Sequence, residues 1–148
     1  MADHVRQQIR EQVAATLTGL STTGSNVFQS RVYPLNETSM PALVIYSKAE
    51  TSTISTIGTG LGMERTMTLT IEAYVKANLT FDDTIDTICA EVETAMGNDP
   101  KLNGKARFSY LESTDIDYDG DGENPVGYAT MNYVVEYRTA QNAPETGI

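Results

Sequence analysis

Residues that carry chemistry are scarce in this chain. It has one cysteine, Cys89, which excludes an internal disulfide and leaves the redox compartment unconstrained. It has one histidine, His4, and a triad or zinc site cannot be built from His4 and a distant Cys89. Basic residues are outnumbered, 10 against 20 acidic, for a formal charge of −10 and a pI near 4.4. Such a surface repels nucleic acid and anionic membranes and excludes a basic groove for reading DNA sequence. Tryptophan is absent, and the eight tyrosines fall mostly on strand-like segments without interleaved basic residues. They read as core and interface, not as platforms for stacked bases. No apolar run approaches the ~20 residues needed to span a bilayer. The opening Met1-Ala2-Asp3-His4-Val5-Arg6-Gln7-Gln8 lacks the apolar stretch of a signal peptide. These absences together predict a cytoplasmic, non-membrane protein.

What remains is enough for one domain. A length of 148 residues with 40% hydrophobic content and a mean hydropathy of −0.29 suits a soluble fold with a real core. Val5, Ile9, Val13, Leu17 and Leu20 recur at helical spacing and predict a helix over 3–18, with Asp3 as N-cap and Gly19 as its left-handed stop. Phe81, Ile85, Ile88, Cys89, Val92 and Met96 predict a second helix over 81–96, with Thr80 as cap, Gly97 as stop and Asp82, Asp83 and Asp86 near its start.

Strands are set by alternation. Residues 63–76 alternate Met63, Arg65, Met67, Leu69, Ile71, Ala73 and Val75 with a polar face, and 129–137 alternate likewise. The continuous apolar run 42–46 predicts a mid-sheet strand covered on both faces. Residues 27–34 and 106–117 supply the rest. The expected fold is α+β in the order αβββαββ: a largely antiparallel or mixed sheet with both helices on one face. The domain is expected to span 1–138. Outside its core lie a Thr/Ser/Gly-rich loop or projecting hairpin arm at 48–62, an acidic turn at 115–125 and a loose tail at 139–148.

Sites for chemistry are weak. Asp115, Asp117, Asp119 and Asp121, with Gly120 and Gly122, resemble the opening of a calcium loop. In the two registers that fit, position 12 is Val126 or Tyr128, not the bidentate glutamate an EF-hand requires. The flanks read as strands, so a solvated Asp/Gly turn is the plainer reading and a small calcium-binding module a remote one. Gly58, Gly60 and Gly62 precede a strand, whereas a phosphate cradle needs glycines after a strand and before a helix. Cys89 falls on the apolar stripe of its helix, as a small core residue would. Asp82, Asp83 and Asp86 are accounted for by the helix start, and a facing carboxylate pair for glycoside hydrolysis is not visible in the sequence. No catalytic residue, cofactor site or metal site is assigned, and an enzyme is not expected.

The chain resembles the phage tail terminator family, the minor tail protein U type of long-tailed phages. The likeness runs through Ile9-Arg10, Thr16 to Gly24, Val27-Phe28, Arg31-Val32-Tyr33-Pro34-Leu35 and Leu43-Val44-Ile45-Tyr46. It continues in Leu69 to Val75, in the helix from Asp82 to Met96 and in Tyr133 to Arg138. The resemblance implies a virion structural protein that closes into a ring, expected to be a homohexamer, on the head-proximal end of the tail tube. The ring would stop tube polymerisation, present the head-joining surface to connector or neck proteins, and let genomic DNA pass without sequence-specific binding. The implied partners are further copies of the chain, the tail tube protein and the neck. A head–tail connector or neck completion protein is the alternative. Ile54, Ile57, Leu61 and Met63, with Arg31 and Tyr33, are the candidate assembly-interface residues. The arm would order on assembly as its apolar side chains enter a partner.

Overall fold

The computed structural model describes residues 2–30, 40–55, 61–120 and 125–148. The order is α1 (Val5–Leu17), β1 (Val27–Phe28), β2 (Ala42–Ile54), β3 (Gly62–Lys76), α2 (Phe81–Gly97), β4 (Phe108–Asp119), β5 (Val126–Ala140) and β6 (Ala143–Gly147). The strands form one sheet in the order β1-β2-β3-β5-β4, with β6 paired to β5. All pairings are antiparallel except β1 with β2. The fold is therefore α+β, with one strand more than expected.

Register explains where the core lies. Met67, Leu69, Ile71 and Ala73 of β3 pair with Val135, Tyr133, Met131 and Ala129 of β5, so both sets share one face. That face packs against Val5, Ile9, Val13 and Leu17 of α1 and Ile85, Ile88, Val92 and Met96 of α2 in a single buried cluster. Cys89 lies in the same cluster. The opposite face carries Thr66, Thr68, Thr70 and Glu72 of β3 beside Glu136, Val134, Asn132 and Thr130 of β5. Both helices leave this second face open, and a hydrogen-bonded ladder crosses it: Thr70 donates to Asn132 at 2.9 Å, and Asn132 donates to Ser113 of β4 at 3.1 Å.

Several sequence expectations shift at the edges of elements. α1 begins at Val5 and its cap is His4, not Asp3: the His4 Nδ1 accepts from the Arg6 backbone N–H at 3.0 Å. Thr80 occupies the N-cap position of α2 without a side-chain cap bond, and Asn78 Oδ1 instead accepts from the Thr80 N–H and hydroxyl. Gly19 does adopt a positive φ of 95° after α1, where a glycine costs least. The polar stretch that follows is tied to α2, since Glu91 accepts from both the N–H and the hydroxyl of Thr22. The strand expected over 27–34 is described for Val27–Phe28, and the remainder falls mostly outside the described residues.

Candidate functional site: surfaces for assembly

The Thr/Ser/Gly-rich segment at 48–62 is largely a β-hairpin. Thr51, Ser52, Thr53 and Ile54 pair with Thr66, Arg65, Glu64 and Met63, after a bulge at Lys48. Threonine suits a pleated, half-exposed surface, which is why a polar segment still forms strand. The hairpin does not stand alone, because Gly62–Thr66 of β3 also pair with Ala140–Glu136 of β5. Leu61 O accepts from the Gln141 N–H at 2.7 Å, which ties the hairpin end to the chain after β5. That chain then turns into β6, so the loose tail expected at 139–148 is replaced by strand: Thr139 and Ala140 finish β5, and Ala143–Gly147 pair back onto it.

A charged cluster anchors the hairpin base. The Glu50 carboxylate accepts from Arg6 Nη1 at 2.8 Å, from Arg65 Nη1 at 3.3 Å and from the Tyr137 hydroxyl. Arg65 Nε also donates to Thr139 Oγ1 at 3.1 Å. Four elements thus meet on one carboxylate: α1, β2, β3 and β5. Burial, followed by the hydrogen bond to Glu50, drives the Tyr137 hydroxyl well above its ordinary range, so it stays a donor.

Of the candidate interface residues, Ile54 is 60% exposed and lies opposite half-buried Met63 near the hairpin end. Leu61 is half-buried beside them. Ile57, Arg31 and Tyr33 lie outside the described residues.

The acidic turn begins later than expected. β4 runs through Asp119, so Asp115, Asp117 and Asp119 alternate along an extended strand. Successive members of that row are about 6.6–6.8 Å apart along the chain, and an extended backbone cannot fold three carboxylates around one ion as a calcium loop does. Asp121 lies outside the described residues, and among those described no cluster of His, Cys, Asp or Glu is arranged to hold a metal. Cys89 is buried, and desolvation pushes its thiol up to about 11. His4 is committed to its cap.

Two features were not read from the sequence. The first is β4 as an outer strand. Its Phe108, Tyr110, Ile116 and Tyr118 are between 39% and 60% exposed. The bulge between Leu111 and Ser113 turns Phe108 and Tyr110 to the open face and Ile116 and Tyr118 to the helical face. There Tyr118 lies 6.0 Å, ring to ring, from Phe81 at the start of α2. The second is the loop after α2. Leu102, Asn103 and Gly104 all have positive φ, an uncommon conformation for the first two, and buried Leu102 anchors it. This loop brings Lys105 and Arg107 to one cavity. A run of left-handed residues outside glycine leaves no strong sequence signal.

The architecture is a helix-backed sheet with one open face, an extended hairpin and, among the described residues, β4 as its outer strand, a design of surfaces more than of clefts. Among the described residues no helix is long and apolar enough to cross a membrane. No curated protein matches the chain. Among solved structures, a chain of the virion of a native gene transfer agent particle is 14% identical, covers 90% of this chain and 92% of its own, and superposes with a TM-score of 0.35. The family model for phage minor tail protein U matches residues 4–137. The chain therefore belongs to the phage minor tail protein U family and is a structural protein of the virion tail.

Proposed function

We propose that this protein is the tail terminator: a ring, expected to be a hexamer, that caps the head-proximal end of the tail tube. Capping stops tube polymerisation and leaves a surface for the connector or neck proteins. Family membership carries the reading, and the architecture is consistent with it. A terminator needs one surface for its own copies, one for the tube and one for the neck. The open sheet face, the outer edge of β4 and the hairpin end are three separate surfaces of that kind. The acid excess suits a ring through which DNA slides, because like charge keeps phosphate from sticking.

In this reading the hairpin end, with Ile54, Leu61 and Met63, makes an assembly contact. Residues 51–54 are exposed and contribute nothing to the core, so deleting 51–61 removes contact surface and leaves the helical layer intact. The deletion variant is expected to stay folded by circular dichroism and to fail in ring closure or tube capping. Electron microscopy of tails made without the protein is expected to show overlong or headless tubes. Tails of normal length and normal head joining in its absence would overturn the proposal.

A further inference from the structure

The outer strand of the sheet carries opposite charge at its two ends. Lys105 and Arg107 lead into β4, and Arg138 of β5 joins them around a cavity of about 320 Å³ that Gln8 also lines. Arg107 pairs with Glu136, and Arg138 with Glu64, each at 3.1 Å. Lys105 forms no ion pair among the described residues, and Arg138 Nε is buried there without an acceptor. Three cations thus gather on a chain of net charge −10, two of them offset by a carboxylate and Lys105 not.

At the other end of β4, Asp115, Asp117 and Asp119 share the open face, in register with Thr130, Tyr128 and Val126. Glu72 continues the row of Asp115 through Thr130, and Lys76 lies in the row of Asp119; both Lys76 and Asp119 have partners of their own, which leaves Asp115 and Asp117 as the core of the acidic patch. Ten residues of extended chain separate Arg107 from Asp117, about 33 Å. That is several times the ~8 Å screening length at physiological salt, so the two patches cannot neutralise each other within one copy. They are complementary between copies. A ring built head to tail needs two different patches on each copy, one facing each neighbour. Among the described residues β4 pairs with β5 alone, so its outer edge and the exposed Phe108, Tyr110, Ile116 and Tyr118 lie beside both patches.

We propose that the acidic half of β4 on one copy docks against the Lys105–Arg107–Arg138 site of the next, and that this contact repeats around the ring. The inference rests on the ring reading above and names the surfaces that would close it. Assembly then weakens as salt rises, because the contact is electrostatic and near the surface.

Two charge reversals test it, Lys105→Glu and Asp117→Lys, with native mass spectrometry of the free protein and electron microscopy of capped tubes as readouts. Circular dichroism checks that each variant is folded. Each variant alone is expected to assemble at least about tenfold more weakly than the wild-type chain, since like charges then face each other at every contact. An equimolar mixture of the two is expected to recover assembly, because every contact in an alternating ring again joins opposite charges. The double variant in one chain is expected to recover it as well. Wild-type rings together with unimpaired single variants would overturn this contact and leave the ring reading standing. Impaired single variants that neither the mixture nor the double variant rescues would overturn it too. A wild-type protein that forms no closed assembly, free or on tubes, would overturn the ring reading itself and the contact with it.

Discussion

Replacing Glu50 by leucine tests whether charge holds the hairpin to the helical layer. The carboxylate accepts from Arg6, Arg65 and Tyr137, its side chain is 10% exposed and that of Arg65 13%. Water therefore cannot take over the lost bonds at Arg65. Arg6, at 39% exposure, rehydrates readily, and its share is correspondingly small. Stranding a buried guanidinium costs about 3–5 kcal/mol, and an orphaned hydroxyl on Tyr137 about 1 kcal/mol more. Arg65 keeps its bond to Thr139, which lowers the total. The expected loss is about 3–4 kcal/mol, a large part of a typical stability of about 5–15 kcal/mol. Urea unfolding followed by circular dichroism measures it, provided the m-value is unchanged. The decisive step is the double variant Glu50→Leu/Arg65→Met, which removes both charges at once. Its cost is expected to fall short of the summed single costs by at least about 1.5 kcal/mol, because no buried charge is left unpaired. Costs that add within about 0.5 kcal/mol would refute the reasoning, as would a Glu50→Leu protein as stable as the wild type.

Three further outcomes are expected. Gly127→Ala drives a methyl into the ring of Phe81, so the ring must shift; a loss of about 1–3 kcal/mol in the same unfolding assay is expected, and Phe81→Leu should relieve part of it. Burial first, then Arg6, holds the His4 imidazole below its ordinary 6.5, so the unfolded chain takes up the proton more readily than the folded one. Stability at His4 is then complete above pH 6.5 and lost as pH falls through the lowered folded value, and His4→Asn, which keeps a capping acceptor, should flatten that part of a stability–pH curve. The Cys89 thiol, raised to about 11 and buried, should react with iodoacetamide at pH 8 at least about a hundredfold more slowly in the native protein than in urea; equal rates would mean that α2 does not cover it.

Local periodicity made much of this protein legible before any coordinates. Alternation over 63–76 and 129–137 identified the two central strands, because a strand's side chains change face at every residue whatever lies around them. The apolar stripes of both helices were readable for the same reason, as were the open polar face and the place of Cys89 in the core. The likeness to minor tail protein U proteins was visible too, carried partly by those segments and partly by the run from Thr16 to Tyr46.

Other features depend on which strands become neighbours, and the tertiary structure alone decided them. Ile116 and Tyr118 lie on the helical face, but β4 is at the edge of the sheet and leaves them exposed. Residues 139–148 lack any strong strand signal, and they pair because β5 extends far enough to give them an edge. Glu50 looks like a polar arm residue and becomes the largely covered acceptor of donors from α1, β3 and β5. Lys105, Arg107 and Arg138 are 33 residues apart at their widest and share a cavity because β4 and β5 lie side by side. Sequence periodicity is a property of one segment, whereas burial, charge pairing and edge position are properties of the arrangement of all of them.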